Sequence, residues 1–89
     1  MSAEEVIKQV AEICRKYNAR EVILFGSRAK GTARDRSDID IAVSGVTYFE
    51  ELAEEVDTFP TLYTIDIVNL DTCKNRLLLE DIKDYGRKI

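Results

Sequence analysis

Apolar residues recur at helical spacing in two long segments of the chain. Near the start, residues 2–5 have the Ser-x-x-Glu order of a capping box, and the apolar stripe that follows predicts a helix over residues 3–17, ended by Asn18. Residues 47–50 repeat this order with threonine in first place, and the stripe behind them predicts a second helix that stops before Pro60.

Other segments have the pattern of strands. Residues 22–25 are continuously apolar, which predicts a central strand buried on both faces. A short helix over residues 27–30, closed by Gly31, is expected to follow this strand. Residues 38–43 and 63–68 alternate between polar and apolar side chains, which is the period of half-buried strands.

The end of the chain predicts one more helix. Asp71 or Thr72 is a candidate cap for it, Gly86 is a candidate stop, and residues 87–89 are expected to pair briefly at a sheet edge. This order of elements predicts an α+β fold of mixed layers, with a small mixed β-sheet packed against helices. At 89 residues, we expect a single domain over residues 1–89.

The composition excludes several classes of protein. The chain is 45% hydrophobic and 34% charged, which is too apolar for a disordered segment. We expect neither a signal peptide nor a membrane span, since no apolar run approaches ~20 residues. The absence of histidine excludes histidine-based catalytic and zinc sites. Cys14 and Cys73 are too few for a disulfide framework, and we expect them to be reduced in the cytoplasm.

Charge is distributed unevenly around a net value of −4. Nine acidic residues and no basic ones lie between Ser37 and Thr72. The basic residues just upstream are Arg28, Lys30, Arg34 and Arg36. An acidic total disfavours general nucleic-acid binding, whereas a basic cluster beside an acidic one suits a phosphate with a divalent metal. Taken singly, each of these charges is better explained as part of a solvated surface.

Acidic residues in the predicted strands are candidate metal ligands. Asp38 and Asp40 share one face of the second predicted strand, about 6.6 Å apart, and Asp66 faces away from the core in the third. If these strands are neighbours, the carboxylates gather on one sheet face and repel each other. Mg²⁺ would relieve this repulsion, and a pair of such ions roughly 3.5–4 Å apart assists in-line phosphoryl transfer.

The turn after the first predicted strand is a candidate phosphate site. Gly26 permits a tight turn and the close approach of a ligand to the backbone. Ser27 offers a hydroxyl group near a helix N-terminus, where backbone N–H groups face anions. Arg28 and Lys30 add positive charge nearby. The glycine-serine turn and the acidic strand residues each usually have only a structural role. Their order and spacing together are a far more specific indication of a functional site.

Residues 26–31 (GSRAKG) and 37–41 (SDIDI) together resemble the signature of the nucleotidyltransferase superfamily related to DNA polymerase β. More closely, the chain is similar to the minimal nucleotidyltransferases of prokaryotes, the MNT or MntA type, and the resemblance covers essentially its whole length. It implies the nucleotidyltransferase fold. It also implies transfer of a nucleoside monophosphate, commonly AMP from ATP, with pyrophosphate leaving.

The resemblance implies a role for each candidate residue. Gly26 and Ser27 would hold the nucleoside triphosphate, with Ser37 beside them in the binding site. Arg28 and Lys30 match the short basic helix of the family and would contact phosphates, although exposed helix charges explain them nearly as well. The metal ligands and catalytic residues would be Asp38, Asp40 and Asp66. The last of these would complete the Mg²⁺ site or deprotonate the acceptor hydroxyl.

Proteins of this type resemble antitoxins paired with HEPN-type toxins, and in that family the antitoxin adenylylates a tyrosine of its partner. Since 89 residues leave no room for an acceptor-binding domain, we expect a second, helical chain to bring the acceptor, in a hetero- or homo-oligomer. The leucine run at residues 77–79 is a candidate contact, although a broad core face explains it equally well. Two alternatives remain open: a non-catalytic module that neutralises its partner by contact, and the catalytic subunit of a split small-molecule nucleotidyltransferase.

Overall fold

Four helices and four strands account for most of residues 2–89, the part of the chain that the computed structural model describes. In chain order they are α1 (Ala3–Lys16), β1 (Glu21–Phe25), α2 (Ser27–Lys30), β2 (Ile39–Ser44), α3 (Phe49–Asp57), β3 (Ile65–Asn69), α4 (Arg76–Tyr85) and β4 (Arg87–Lys88). The predicted α+β fold and the predicted order of its elements are confirmed.

The strands form one mixed sheet in the order β3-β2-β1-β4. β2 is antiparallel to β1 and parallel to β3, and β4 pairs antiparallel with the other side of β1. A parallel pair needs a crossover connection, which α3 supplies between β2 and β3. The end of β1 and the starts of β2 and β3 therefore lie together, and we call this region the site end of the sheet (Phe25, Ile39 and Ile65).

Helices cover both faces of the sheet. On one face, α1 and α3 enclose the main core, where Leu24, Ile41 and Leu52 are almost completely buried. On the other face, α4 packs Ile82 in a second core with Phe25. β1 is thus buried on both faces, as its continuous apolar run predicts, because Leu24 and Phe25 point into different cores.

The start of α3 differs from the prediction. The helix begins at Phe49, its N-cap is Tyr48 with a φ of 60°, and no side chain caps it, so the capping box at residues 47–50 is wrong. The Thr47 hydroxyl instead accepts a hydrogen bond from the side chain of Asn18, at 3.3 Å. A tertiary contact between two loops thus uses the hydroxyl that local spacing had assigned to the helix.

The cap of α4 also differs from the prediction. Asn75 is the N-cap, and its side-chain oxygen accepts a hydrogen bond from the backbone N–H of Leu78, at 3.1 Å. Asp71 and Thr72 are therefore wrong as candidate caps. Asp71 is used elsewhere, since its carboxylate accepts a hydrogen bond from the backbone N–H of Gly45, at 2.8 Å.

The two ends of the described chain agree with the prediction. Ser2 caps α1 by accepting a hydrogen bond from the backbone N–H of Glu5, at 3.2 Å. Gly86 ends α4, and β4 follows it along the edge of β1. No helix in the described part of the chain is long and apolar enough to cross a membrane.

The leucine run in α4 is divided between core and surface. Leu78 packs against the second core, Leu79 is half-buried, and Leu77 is 78% exposed. Three consecutive residues span most of a helical turn, so they cannot share one buried face. The broad core face therefore accounts for only part of the run.

Candidate active site

Asp40 and Asp66 lie side by side at the site end of the sheet. They are direct partners in the register between the parallel strands β2 and β3, so their side chains project from the same face. Phe25, the partner of Asp40 on β1, projects from this face too, which is the face that α4 covers. The structure thus brings together two of the three acidic residues that the sequence singled out.

The environment of Asp40 disfavours its ionised form. The side chain is half-buried, and this burial raises the pKa of Asp40 above its ordinary value of 3.8. The negative charges of Asp66 and Asp38 raise the pKa further, and so does a hydrogen bond from the protonated Asp40 carboxyl to Asp66. A divalent cation bound between these groups would replace the proton and reverse the effect.

Asp38 lies just before β2 and is exposed, whereas the sequence predicted it inside the strand. Its charge still acts on Asp40. Within residues 2–89, however, no three side chains of the metal-binding types are close enough to form a complete metal site. The donor set nevertheless suits Mg²⁺, which proteins commonly hold through one or two carboxylates plus the phosphate oxygens of a substrate.

Gly26 packs directly over the carboxylate of Asp40. Its φ is 74° and its ψ is −155°, a conformation that essentially only glycine adopts. A Cβ atom at Gly26 would overlap Oδ2 of Asp40. Ser27 follows as the first residue of α2 and is half-buried. The glycine-serine turn and the paired carboxylates therefore adjoin.

Arg28 is engaged with other parts of the protein. Its Nη2 donates hydrogen bonds to the carbonyl oxygens of Ser37, at 2.8 Å, and Asp35, at 3.3 Å, and its Nε donates to Ser37 at 3.3 Å. The guanidinium lies over the ring of Tyr63, 5.2 Å from the centroid. Arg28 is half-buried, so it is not the exposed helix charge that the sequence offered as an alternative.

Lys30 connects α2 to α4. Its Nζ lies 2.8 Å from Oδ1 of Asp81 and 5.1 Å from the ring centroid of Tyr85. The hydrogen bond to Asp81 is the main cause of a raised pKa at Lys30. Asp81 and Tyr85 share one face of α4 through their i, i+4 spacing. Sequence reasoning missed this pair, because such spacings occur on every helix and nothing local assigns that face to α2.

Ser37 closes the turn that leads to Asp38. Its hydroxyl accepts a hydrogen bond from the backbone N–H of Arg34, at 2.8 Å, and its own N–H donates to the Arg34 carbonyl at 3.0 Å. Its carbonyl oxygen is the main acceptor for Arg28. Ser37 therefore shapes the backbone beside the candidate site.

A cavity of about 300 Å³ opens beside the segments that lead into β2 and β3. Its lining residues are Arg36, Pro60, Thr61, Leu62 and Tyr63. Sequence reasoning missed it, because its walls come from the loops before β2 and β3, which meet only through the pairing of these strands. The alternating pattern placed Tyr63 in the third predicted strand, but β3 begins at Ile65 and Tyr63 lies in the loop before it.

Comparisons with known proteins concern both sequence and fold. Residues 8–89 match the family model described as "Polymerase beta, Nucleotidyltransferase". A crystal structure of a toxin–antitoxin with AMP-PNP contains a chain of similar fold, with a TM-score of 0.73 and 25% identity over 92% of this chain and 70% of that one. A mutant of the toxin–antitoxin MntA-HpeT superposes with a TM-score of 0.71 and 22% identity over the same shares, a likeness of fold alone. No curated protein sequence matches the chain.

Proposed function

Because this chain belongs to the polymerase β-type nucleotidyltransferase family and is a nucleotidyltransferase, we propose that it transfers AMP from ATP to a hydroxyl group of a partner protein. The proposed partner is a HEPN-type toxin and the proposed acceptor is one of its tyrosines, so that this chain acts as the antitoxin of the pair. The observation that carries the proposal is the packing of Gly26 over Asp40, with Asp66 alongside.

The acidic residues have the central role in the proposed reaction. Asp40 and Asp66 would hold Mg²⁺ together with the triphosphate, and the exposed side chain of Asp38 would turn toward the bound metal as the third ligand. The bound metal would neutralise charge on the phosphate oxygens. Asp66 is exposed on β3, an outer strand of the sheet, where an acceptor chain has access. It would complete the metal site or take the proton from the acceptor hydroxyl. The bond from the acceptor oxygen to the α-phosphorus forms as the bond to pyrophosphate breaks.

The turn after β1 would hold the triphosphate. Gly26 has no side chain to keep a phosphate away from the backbone, and the Ser27 hydroxyl is available as a donor next to it. Lys30 would contact phosphates by exchanging Asp81 for a phosphate oxygen, and Ser37 would border the nucleotide from the turn before Asp38. The comparison that supports the nucleotide is the crystal structure of a toxin–antitoxin with AMP-PNP, which contains a chain of similar fold.

Exposed apolar side chains support a protein partner. The large ones are Tyr48, Leu62, Leu77 and Tyr85, which are 71%, 96%, 78% and 57% exposed. Contact with a second chain would remove this apolar surface from water. We therefore propose a hetero-oligomer with the toxin, formed in the cytoplasm, where the free cysteines Cys14 and Cys73 stay reduced.

The test is a transfer assay with ATP labelled at the α-phosphate, Mg²⁺ and the product of the neighbouring gene. We expect the partner to become labelled and its toxicity to be lost. Asp40→Asn should lower the transfer rate by roughly 100- to 1000-fold, because it weakens the binding of the Mg²⁺ whose positive charge would stabilise the phosphate oxygens in the transition state. Asp84→Asn, which changes an exposed carboxylate on α4, is the matched control and should transfer at the normal rate.

Two outcomes would contradict the proposal. Labelling that survives Asp40→Asn would show that the paired carboxylates do not drive transfer. Neutralisation of the partner without labelling, and unchanged in Asp40→Asn, would favour a non-catalytic module instead.

A further inference from the structure

Arg28 contacts the two segments that lead into β2 and β3, the strands that carry Asp40 and Asp66. It lies in α2, directly after the turn at Gly26, and its hydrogen bonds to the Ser37 carbonyl reach the residue before Asp38. Its guanidinium also covers Tyr63, which leads into β3. We propose that Arg28 is a positioning residue, which holds the phosphate turn in register with the acidic segments and does not bind phosphate itself. This inference rests on the function proposed above.

The chemistry of the contacts requires arginine in particular. Nε and Nη2 of the planar guanidinium both donate to the carbonyl oxygen of Ser37, and Nη2 also donates to the carbonyl oxygen of Asp35. The flat face of the same group lies over the ring of Tyr63. A guanidinium offers donors in a fixed fork together with a flat face. A lysine ammonium has the same charge but neither of these features, so it cannot make the same set of contacts.

The contacts matter most for Asp38. Its exposed carboxylate lies outside β2, so no strand pairing fixes its direction and the backbone on each side must do so. On one side, the N–H of Ile39 donates to the carbonyl of Thr64, at 2.9 Å. On the other side, the carbonyl of Ser37 accepts from Arg28, at 2.8 Å. Loss of Arg28 therefore frees the backbone on one side of a proposed metal ligand.

Amide hydrogen exchange tests the positioning role without any ligand. Arg28→Lys should speed exchange at the amides of Ser37 and Ile39 by about tenfold, because a charge-assisted hydrogen bond that closes this loop is lost. Arg76→Lys is the matched control, since Arg76 is exposed at the start of α4, and it should leave exchange at both amides unchanged.

Calorimetric titration with AMP-PNP separates positioning from phosphate binding. If Arg28 positions Asp38, Arg28→Lys should weaken binding in the presence of Mn²⁺ by roughly 10- to 100-fold, the usual effect of removing support behind a metal ligand. Binding without metal should be unchanged. A phosphate contact predicts the reverse: lysine preserves binding, and Arg28→Gln weakens it both with and without Mn²⁺.

The outcomes distinguish this inference from the proposed function. Normal exchange at Ser37 and Ile39 in Arg28→Lys would overturn the positioning role, and so would full Mn²⁺-dependent binding by the lysine variant. Failure of the wild-type protein to bind AMP-PNP would count against the proposed function instead. In that case the exchange measurement alone would decide the role of Arg28.

Discussion

At the scale of single residues, Gly26 is subject to two independent constraints. Its positive φ is costly for any residue with a side chain, and the space that a Cβ atom would fill is taken by the Asp40 carboxylate. Gly31 shares only the first constraint, since its φ is 76° but nothing lies within 4 Å of a Cβ built there. Comparing substitutions at the two glycines therefore distinguishes the effect of backbone strain from the effect of crowding against Asp40.

We predict that Gly26→Ala lowers the free energy of unfolding by about 1–3 kcal/mol through strain and also removes transfer activity, because it displaces Asp40. Gly31→Ala should cost about 1–2 kcal/mol and keep its activity. Urea denaturation and the labelled-ATP assay on both variants measure these effects. Equal activity in the two variants would show that the contact between Gly26 and Asp40 is unimportant.

The raised pKa of Asp40 predicts a pH-dependent stability. Ionising Asp40 costs more in the folded protein than in the unfolded chain, so stability falls as pH rises from the ordinary pKa of 3.8 through the raised folded value. Asp40→Asn removes this cost. In the presence of EDTA, its stability relative to wild type should increase from about pH 3 to pH 7. Denaturation curves across that range provide the measurement, and a difference that is constant with pH would contradict the assigned cause.

At the scale of elements, α2 shows how a very short helix is held in place. It has four residues, far below the roughly 12–15 that an isolated helix needs in water. Arg28 connects it to the loop before β2 through a hydrogen bond, and Lys30 connects it to α4 through an ion pair. The helix α2, which carries the proposed phosphate contacts, is thus stabilised by its neighbours and not by its own length.

The cap of α4 gives a direct test at this scale. Asn75→Ala should lower the free energy of unfolding by about 1 kcal/mol, because the N–H of Leu78 loses its acceptor. Thr72→Ala is the control, since the sequence proposed Thr72 as a cap and the structure places it outside the helix. Urea denaturation of both variants should show the loss only at Asn75. An equal loss at Thr72 would mean that the cap is misassigned.

At the scale of the whole molecule, two layers of helices enclose one small sheet. The crossover through α3 makes β2 and β3 parallel, and the register of this pair sets Asp40 beside Asp66. Native proteins are stabilised by only about 5–15 kcal/mol in total, so the loss of one well-packed core residue can unfold much of the population. The main core around Leu52 therefore keeps the strands that carry Asp40 and Asp66 in place from the opposite face of the sheet.

Core and surface leucines should respond differently to truncation. Leu52 is fully buried in the main core, and Leu52→Ala should lower the free energy of unfolding by about 2–5 kcal/mol. Leu77 is 78% exposed, and Leu77→Ala should change the free energy of unfolding by no more than about 0.5 kcal/mol. Chemical denaturation tests both. A large loss at Leu77 in the isolated chain would mean that it packs within this protein and is not available to a partner.

The sequence alone determined most of the local structure. Alternation predicted that Ile39 and Ile41 face the core and that Asp40 faces away from it, because side chains of a strand alternate with a period of two. Apolar stripes located the long helices in the same way, because side chains three or four residues apart share one face of a helix. The motif around Gly26 and Asp40 also indicated the nucleotidyltransferase family, since the residue types and their spacing are independent of how the chain packs.

Only the tertiary structure decided what the charged and polar side chains contact. It directed Arg28 to the Ser37 carbonyl and Lys30 to Asp81, and it placed Asp38 outside β2. It also used Thr47 between two loops in place of a helix cap. A hydrogen-bonding group takes whichever partner lies within about 3 Å, and that depends on segments far apart in the chain. Local spacing carries no information about such partners, whereas the burial of apolar side chains follows directly from it.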